Sequence, residues 1–376
     1  MRIGFDGKRA VRNFTGLGNY SRYVLDILSR YYPENEYDIF SATSDTAGRM
    51  NVLLKKHPSL KMVYAQGLGK RFPAVWRSWG ITHQMEVSGI QIYHGLSNEI
   101  PLNIKKSGIK SIVTIHDLIF LRLPECYAPI DRKIYDYKFH QACVDADHII
   151  SVSDRTKKDI VELYQIPEEK ITTIYQNCDP VFGIPVTEEK KQQVKTIHHL
   201  PERYILNVGT IEKRKNALFI VKSLPQLPPD IHLVIVGRRT KYTEEIEKYM
   251  AEHQLENRVH ILKEVKYEDL PAIYQMASLF IYPSIYEGFG IPVLEALNSK
   301  VPVITTSHSC MEEAGGKAAV YVNPSDVNEL VQAELSILTN SSLRQQLIAD
   351  GLKQRENFSD ELQAKKLIKL YQSLIG

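Results

Sequence analysis

The stretch LFIYPSIYEGFGIPVLEAL, Leu279–Leu297, passes from an apolar aromatic run through a glycine turn into a helical pattern. Four bulky residues, Leu279 to Tyr282, suit a buried strand, and Pro283, Gly288 and Gly290 interrupt it. Pro292 then fits the first turn of a helix, where its missing N–H would be unpaired anyway. A strand, a turn and a helix in succession form the unit from which parallel α/β sheets are wound. Amides at the helix start attract anions, and the two glycines permit close backbone approach and conformations that a Cβ disfavours. Glu287 precedes the turn, and Glu295, one turn into the helix, leans back toward the same end. The pair reads as two holds on one polyhydroxylated, anionic ligand. The competing reading is an ordinary strand-to-helix connection with solvated glutamates.

The same alternation extends in both directions. RIGFDG, YDIFSA, KMVYA, QIYHG, SIVTIHD, HIISVS and ITTIYQN are expected strands in the first half, and YILNVGT, HLVIVGR, RVHILK, LFIYPS, PVITT and AAVYVN in the second. Helix-like segments separate them, which implies two doubly wound domains with parallel sheets. The Pro- and Gly-rich CDPVFGIPVTEE, Cys178–Glu189, is the expected linker. The domains then span 1–183 and 184–357, and residues 358–376 form a terminal helix carrying Leu362, Leu367, Leu370 and Leu374 at helical spacing.

The chain has 376 residues, 43% of them hydrophobic, enough for two buried cores. No apolar run reaches the roughly 18 residues that span a bilayer, and MRIGFDGKRAVRNFTG lacks an export signal, so a cytoplasmic protein is expected. Cys126, Cys143, Cys178 and Cys310 are far apart and read as reduced thiols rather than a zinc or disulfide framework. Net charge is +3, too small for a nucleic-acid binder without a motif. From Thr46 to Met85, however, no acidic residue occurs against seven basic ones, among them Lys70, Arg71 and Arg77, and both tryptophans, Trp76 and Trp79, lie there. Such a segment can seat a protein on an anionic membrane surface or hold a phosphate-bearing acceptor. It can equally be a solvated basic face with its tryptophans turned inward.

In open α/β sheets, ligands bind beyond the carboxyl ends of strands. FTGLGNY, Phe14–Tyr20, follows the first strand, and Gly16 and Gly18 would let a loop pass close to a phosphate. His116 and Asp117 end another strand, as cleft groups or as satisfied structural residues. After YILNVG comes TIEKRKN, Thr210–Asn216, whose Lys213, Arg214 and Lys215 suit a diphosphate. Gly237 and Val265, near two further strand ends, could offer backbone groups to a nucleotide base.

EGFGIPVLE resembles the E-x7-E motif of retaining nucleotide-sugar glycosyltransferases, and GTIEKRKN resembles the G-T-x-E-P-R-K-N element of glycosyltransferase family 4. TGLGNYSRYV, TIHDL and ISVSDRTKKDI occur in the same order, so the similarity covers nearly the whole chain. It implies a GT-B fold: two Rossmann-like domains facing a cleft, acceptor on the first and donor on the second, with the final helix crossing back to the first. By this resemblance Glu287 contacts the donor sugar and Glu295 the ribose. Amides around Gly288, Phe289, Gly290 and Ile291 hold sugar and phosphate. Arg214 and Lys215 balance the leaving diphosphate, so that no metal or other cofactor is needed, and His116 sits near the sugar. Thr210 stands where many members carry Arg, Lys213 replaces the usual proline, and YQNCDPVF lacks the common N-G-V-D form.

The implied reaction is transfer of a hexose, with retention, from a nucleoside diphosphate sugar to a hydroxyl, and loss of Glu287 is expected to cost turnover while leaving the fold intact. Similar members are often GDP-mannose-dependent mannosyltransferases of bacterial polysaccharide assembly, whose acceptors are often lipid-linked. That would place this chain in the cytoplasm, at times on the inner face of the membrane. A sugar-nucleotide epimerase of the same fold and a non-catalytic sugar-binding protein are the alternatives.

Overall fold

The computed structural model describes residues 1–13, 15–45 and 48–376. Phe14 and Thr46, which begin two of the stretches read above, lie outside the described residues. The chain divides into two compact units, one of Met1–Gln176 with Ser359–Gly376, the other of Asn177–Phe358.

Unit 1 carries seven parallel strands: β1 (Arg2–Asp6), β2 (Glu36–Ser41), β3 (Leu60–Tyr64), β4 (Ile92–Gly95), β5 (Lys110–Ile115), β6 (His148–Ser151) and β7 (Ile171–Thr173). Their order is β3-β2-β1-β4-β5-β6-β7, so the winding changes direction between β1 and β4. Unit 2 carries β8 (Tyr204–Val208), β9 (His232–Val236), β10 (Val259–Leu262), β11 (Leu279–Tyr282), β12 (Val303–Thr306) and β13 (Ala319–Val322), ordered β10-β9-β8-β11-β12-β13, again all parallel. Its switch lies between β8 and β11. Every expected strand is present, and both units are Rossmann-like α/β layers. The central strands read as continuous apolar runs because helices cover both faces: all four residues of β11 are buried.

The division falls after Gln176, ahead of the expected linker. Pro180–Gly183 forms a 3-10 turn whose Phe182 is fully buried, with its ring edge-on to Tyr274 at 5.3 Å. An aromatic side chain packed this way belongs to the core of unit 2, so Pro and Gly here shape a packed turn rather than a free tether. At the other boundary Phe358 is buried 5.7 Å from Phe289 and also stays with unit 2.

The terminal helix Asp360–Ile375 packs in unit 1 on the helix Gly16–Tyr31. Its buried face is Gln363, Ala364, Leu367, Ile368 and Tyr371. Of the leucines expected to form that face, Leu362 is 36% exposed, so the apolar stripe runs through Ala364 and Tyr371 instead. Arg30 pairs with Asp360 at 3.1 Å, and the Tyr371 hydroxyl meets His94 Nδ1 at 2.7 Å.

Among the described residues no helix is long and apolar enough to cross a membrane.

Candidate functional site

The carboxyl ends of β8 and β11 bring the cations and Glu287 together in unit 2. After β8 the chain passes Gly209, at φ +149°, and enters a 3-10 turn, Lys213–Lys215. Asn216 follows in the left-handed region and its side-chain amide donates to the Pro324 carbonyl at 3.0 Å, while the Ile285 amide donates to the Arg214 carbonyl at 2.8 Å. Two loops are thereby tied, and Lys213 is left exposed while Arg214 and Lys215 turn inward. The sequence cluster of three cations thus becomes a pair.

Glu287 Oε1 accepts from Arg214 (2.7 Å), Lys215 (2.9 Å), the Tyr282 hydroxyl (2.9 Å) and the Ser284 hydroxyl (2.9 Å). Burial alone would raise this carboxyl; Lys215 and Arg214 outweigh it and hold the group at about 2. It is a carboxylate at any physiological pH, an acceptor that cannot supply a proton. The four donors converge on one oxygen, leaving Oε2 for a ligand. Arg214 also binds Glu212 at 2.7 Å and the Tyr286 carbonyl, and Lys215 lies 5.0 Å from the Tyr282 ring centroid. Tyr282 and Ser284 carry no motif and were invisible as site residues in the sequence; their only signal is their place at the end of β11.

The glycine turn differs from expectation. Gly290 has φ −136°, a conformation open to any residue, and its constraint is space: a Cβ there would lie 3.0 Å from the Ala314 Cβ and the Met311 sulfur. The helix Ile291–Asn298 begins one residue before Pro292, and Gly290 precedes it. The Cys310 thiol donates to the carbonyls of Glu287 (3.1 Å) and Phe289 (3.4 Å), fastening the turn from behind, and Phe289 is buried. Ile291 is half-buried and Gly288 buried.

Glu295 receives the Tyr274 hydroxyl at 2.7 Å. Burial pushes its carboxyl up to about 7, the tyrosine hydrogen bond opposing and the charge of Asp179 adding to the rise. The two glutamates of the motif thus differ sharply, one fixed as an anion and the other poised near neutrality. Gly237 follows β9 with an added Cβ only 1.7 Å from the Gly209 carbonyl oxygen, so glycine is required there by close backbone approach. Thr210 and Val265 are half-buried in the loops after β8 and β10.

In unit 1 the helix Gly16–Tyr31 starts at Gly16 itself, so both glycines belong to its first turn rather than to a loop before it. Gly18 is crowded, with an added Cβ 2.0 Å from the Asn13 carbonyl oxygen, whereas Gly16 has nothing within 4 Å. His116, 8% exposed, places Nε2 2.9 Å from the Leu96 carbonyl, and the Tyr20 ring stands edge-on at 4.6 Å. A carbonyl only accepts, so Nε2 carries the hydrogen and Nδ1 is the acceptor. Burial lowers its pKa to about 4, with the Leu96 bond opposing, and the ring is neutral. Asp117 Oδ1 accepts the Ile119 amide at 3.1 Å.

The acid-free segment splits between core and surface. Trp76 is 7% exposed in a π-helical turn, Trp76–Gly80, while Trp79 is 53% exposed. Arg77 turns inward to Asp6 (3.2 Å) and Glu99 (2.6 Å). Lys70 and Arg71 are exposed beside Phe72 and Val75, also exposed.

Residues 188–354 match the glycosyl transferases group 1 family and residues 21–180 match glycosyltransferase family 4. The chain is 28% identical over 396 aligned residues to the O-antigen chain mannosyltransferase B of Escherichia coli, covering all of both chains. It is 30% identical over 214 residues to the O-antigen chain mannosyltransferase RfbU of Salmonella typhimurium, covering 57% of each. In fold it is similar to a glycosyltransferase from Rickettsia africae, with TM-score 0.77 and 19% identity over all of this chain and 98% of that one.

Proposed function

Because the chain belongs to the glycosyltransferases of family 4, we propose that it moves mannose, with retention, from GDP-mannose to a hydroxyl of a glycan or lipid-linked oligosaccharide. The observation that carries this reading is the convergence of Arg214, Lys215, Tyr282 and Ser284 on one oxygen of Glu287. A donor diphosphate draws on the two cations as it departs, and preorganised charge of this kind lowers the barrier without a metal. Glu287, always ionised, accepts hydrogen bonds from the sugar through Oε2 and positions it. Glu295 receives the ribose hydroxyls, the amides of Gly288 to Ile291 hold phosphate and sugar, and Thr210, Gly237 and Val265 border the nucleotide. In unit 1 the Nδ1 of His116 accepts a hydrogen bond from a substrate hydroxyl, and the crowding at Gly18 fixes the helix start.

Mannose as the sugar is supported by the names of the relatives above, and GDP as the base by the first-half and second-half motifs together. An epimerase needs proton shuttles around the sugar; a carboxyl held at about 2 and a histidine already donating to a carbonyl are poorly suited to that work. Lys70, Arg71, Phe72, Val75 and Trp79 form the surface through which unit 1 would touch the inner face of an anionic membrane. Retention on anionic liposomes at low salt, lost on Trp79→Ser, is the expected result; no retention at low salt removes this part of the proposal.

Isothermal titration tests the donor assignment. GDP is expected to bind more tightly than UDP or ADP, with an affinity that depends on Glu295. Ribose hydroxyls donate only to an ionised carboxylate, and a carboxyl at about 7 is mostly protonated at pH 6 and mostly ionised at pH 8. Affinity should therefore rise by roughly tenfold over that interval, and Glu295→Gln should remove the Glu295 contribution and flatten the rise. An identical slope in the variant would overturn the role given to Glu295.

A further inference from the structure

Unit 1 contains a cavity of about 230 Å³ at the carboxyl ends of β1 and β2, lined in part by Asp6, Lys8, Arg12, Trp76, Arg77 and Lys138. It lies beside the β1/β4 switch point, where doubly wound sheets open a ligand crevice. One wall is the π-helical turn Trp76–Gly80, a rare conformation that often accompanies functional sites. That turn sends Trp76 into the core and lets Arg77 reach the cavity floor.

The charges there do not balance. Asp6, 2% exposed, accepts from Arg77 Nε (3.2 Å) through Oδ2 and from the Lys8 amide (3.1 Å) through Oδ1. Glu99 takes the other end of Arg77 at 2.6 Å and Lys138 at 3.6 Å. Two carboxylates thus satisfy Arg77 and Lys138. Among the described residues neither the Lys8 ammonium nor the Arg12 guanidinium has a carboxylate within ion-pair distance, so the cluster carries two uncompensated positive charges at a half-buried place. Burial and the neighbouring Arg77 both lower the Lys8 pKa, the behaviour of an ammonium lacking its counter-ion.

We propose that this cavity binds the phosphorylated sugar of the acceptor, the phosphate on Lys8 and Arg12 and the ring hydroxyls on the carboxylates that Arg77 holds in place. The inference rests on the transferase reading and deepens it: the acceptor is a sugar joined to phosphate, not a neutral glycan. A cavity of this volume admits about one hexose ring with its phosphate, so recognition is of that unit and not of a long chain.

The probe is mannose 1-phosphate, titrated into the wild-type protein and into Lys8→Ser/Arg12→Ser. Neither side chain has an ion pair to lose, so the double variant should melt within a degree or so of wild type. The expected result is weaker binding of mannose 1-phosphate by roughly tenfold or more, since each charge-assisted contact is worth about that much. GDP affinity, measured in parallel, is expected to be unchanged, and free mannose to bind neither protein. An unchanged affinity for mannose 1-phosphate in the double variant, no binding by wild type, or an equal loss of GDP affinity would each overturn the proposal. Failure of GDP to bind wild type would count against the donor reading instead, and the sugar phosphate titration would still decide this one.

Discussion

Glu287→Gln should lower turnover by roughly two to three orders of magnitude, the range lost when one preorganised polar contact to a reacting group is removed. The amide keeps the size of the side chain but loses the charge that holds Arg214 and Lys215 in register, so both the sugar contact and the placing of the diphosphate partners suffer. Glu287→Ala is a different experiment. From sequence alone the loop carboxylate looked dispensable to the fold, yet Arg214 and Glu287 are each only 13% exposed. Truncation leaves two partly buried cations facing each other, and loss of one partner from a buried pair costs about 3–5 kcal/mol. The alanine variant should thus be both inactive and less stable, with added GDP restoring part of the melting temperature by supplying anionic charge. Calorimetric melting and steady-state rates on both variants separate the two effects. Wild-type turnover in Glu287→Gln would remove Glu287 from the site.

Gly237→Ala should be the most damaging single methyl group in unit 2. An added Cβ lies 1.7 Å from the Gly209 carbonyl oxygen and 2.6 Å from its carbon, backbone atoms that cannot rotate away. The β8 and β9 ends are joined there, with the Gly209 amide on the Val236 carbonyl at 2.8 Å and the Ile211 amide on the Arg238 carbonyl at 2.9 Å. Relief requires the strand ends to part, and overpacking of this kind costs about 1–3 kcal/mol or more. The displaced segment leads straight into Arg214 and Lys215, so activity should fall further than stability alone explains. Gly16→Ala is the control: nothing lies within 4 Å of its added Cβ, and alanine in the first turn of a helix should leave stability unchanged or raise it by up to about 1 kcal/mol. Equal melting temperatures for Gly237→Ala and wild type would show that the strand ends are looser than this packing requires.

How much of this was legible beforehand depends on the kind of interaction. Strands were readable because β-branched and aromatic runs repeat in the order that parallel sheets demand. Glu287 and the cations were readable because charge beside a strand end in an α/β fold has few structural uses. Their pairing with each other was not, since it depends on the 3-10 turn at Lys213–Lys215 folding back toward β11. Composition made the Cys178–Glu189 segment look like a linker, and burial of Phe182 shows why Pro and Gly alone mislead. The glycines told a similar story: Gly18, Gly237 and Gly290 are constrained by neighbouring atoms, information that lies in distant parts of the chain. Trp76 and Trp79, adjacent in composition, divide between core and surface because the π-helical turn changes which residues face inward.

The central claim is that unit 2 holds a nucleoside diphosphate sugar between the Glu287 cluster and Glu295, and a structure of the complex with intact GDP-mannose tests it most directly. The account predicts diphosphate oxygens within hydrogen-bonding distance of Arg214 and Lys215, a mannose hydroxyl on Glu287 Oε2 and the ribose on Glu295. Nucleotide bound elsewhere, with both cations still turned only to Glu287 Oε1, would contradict it.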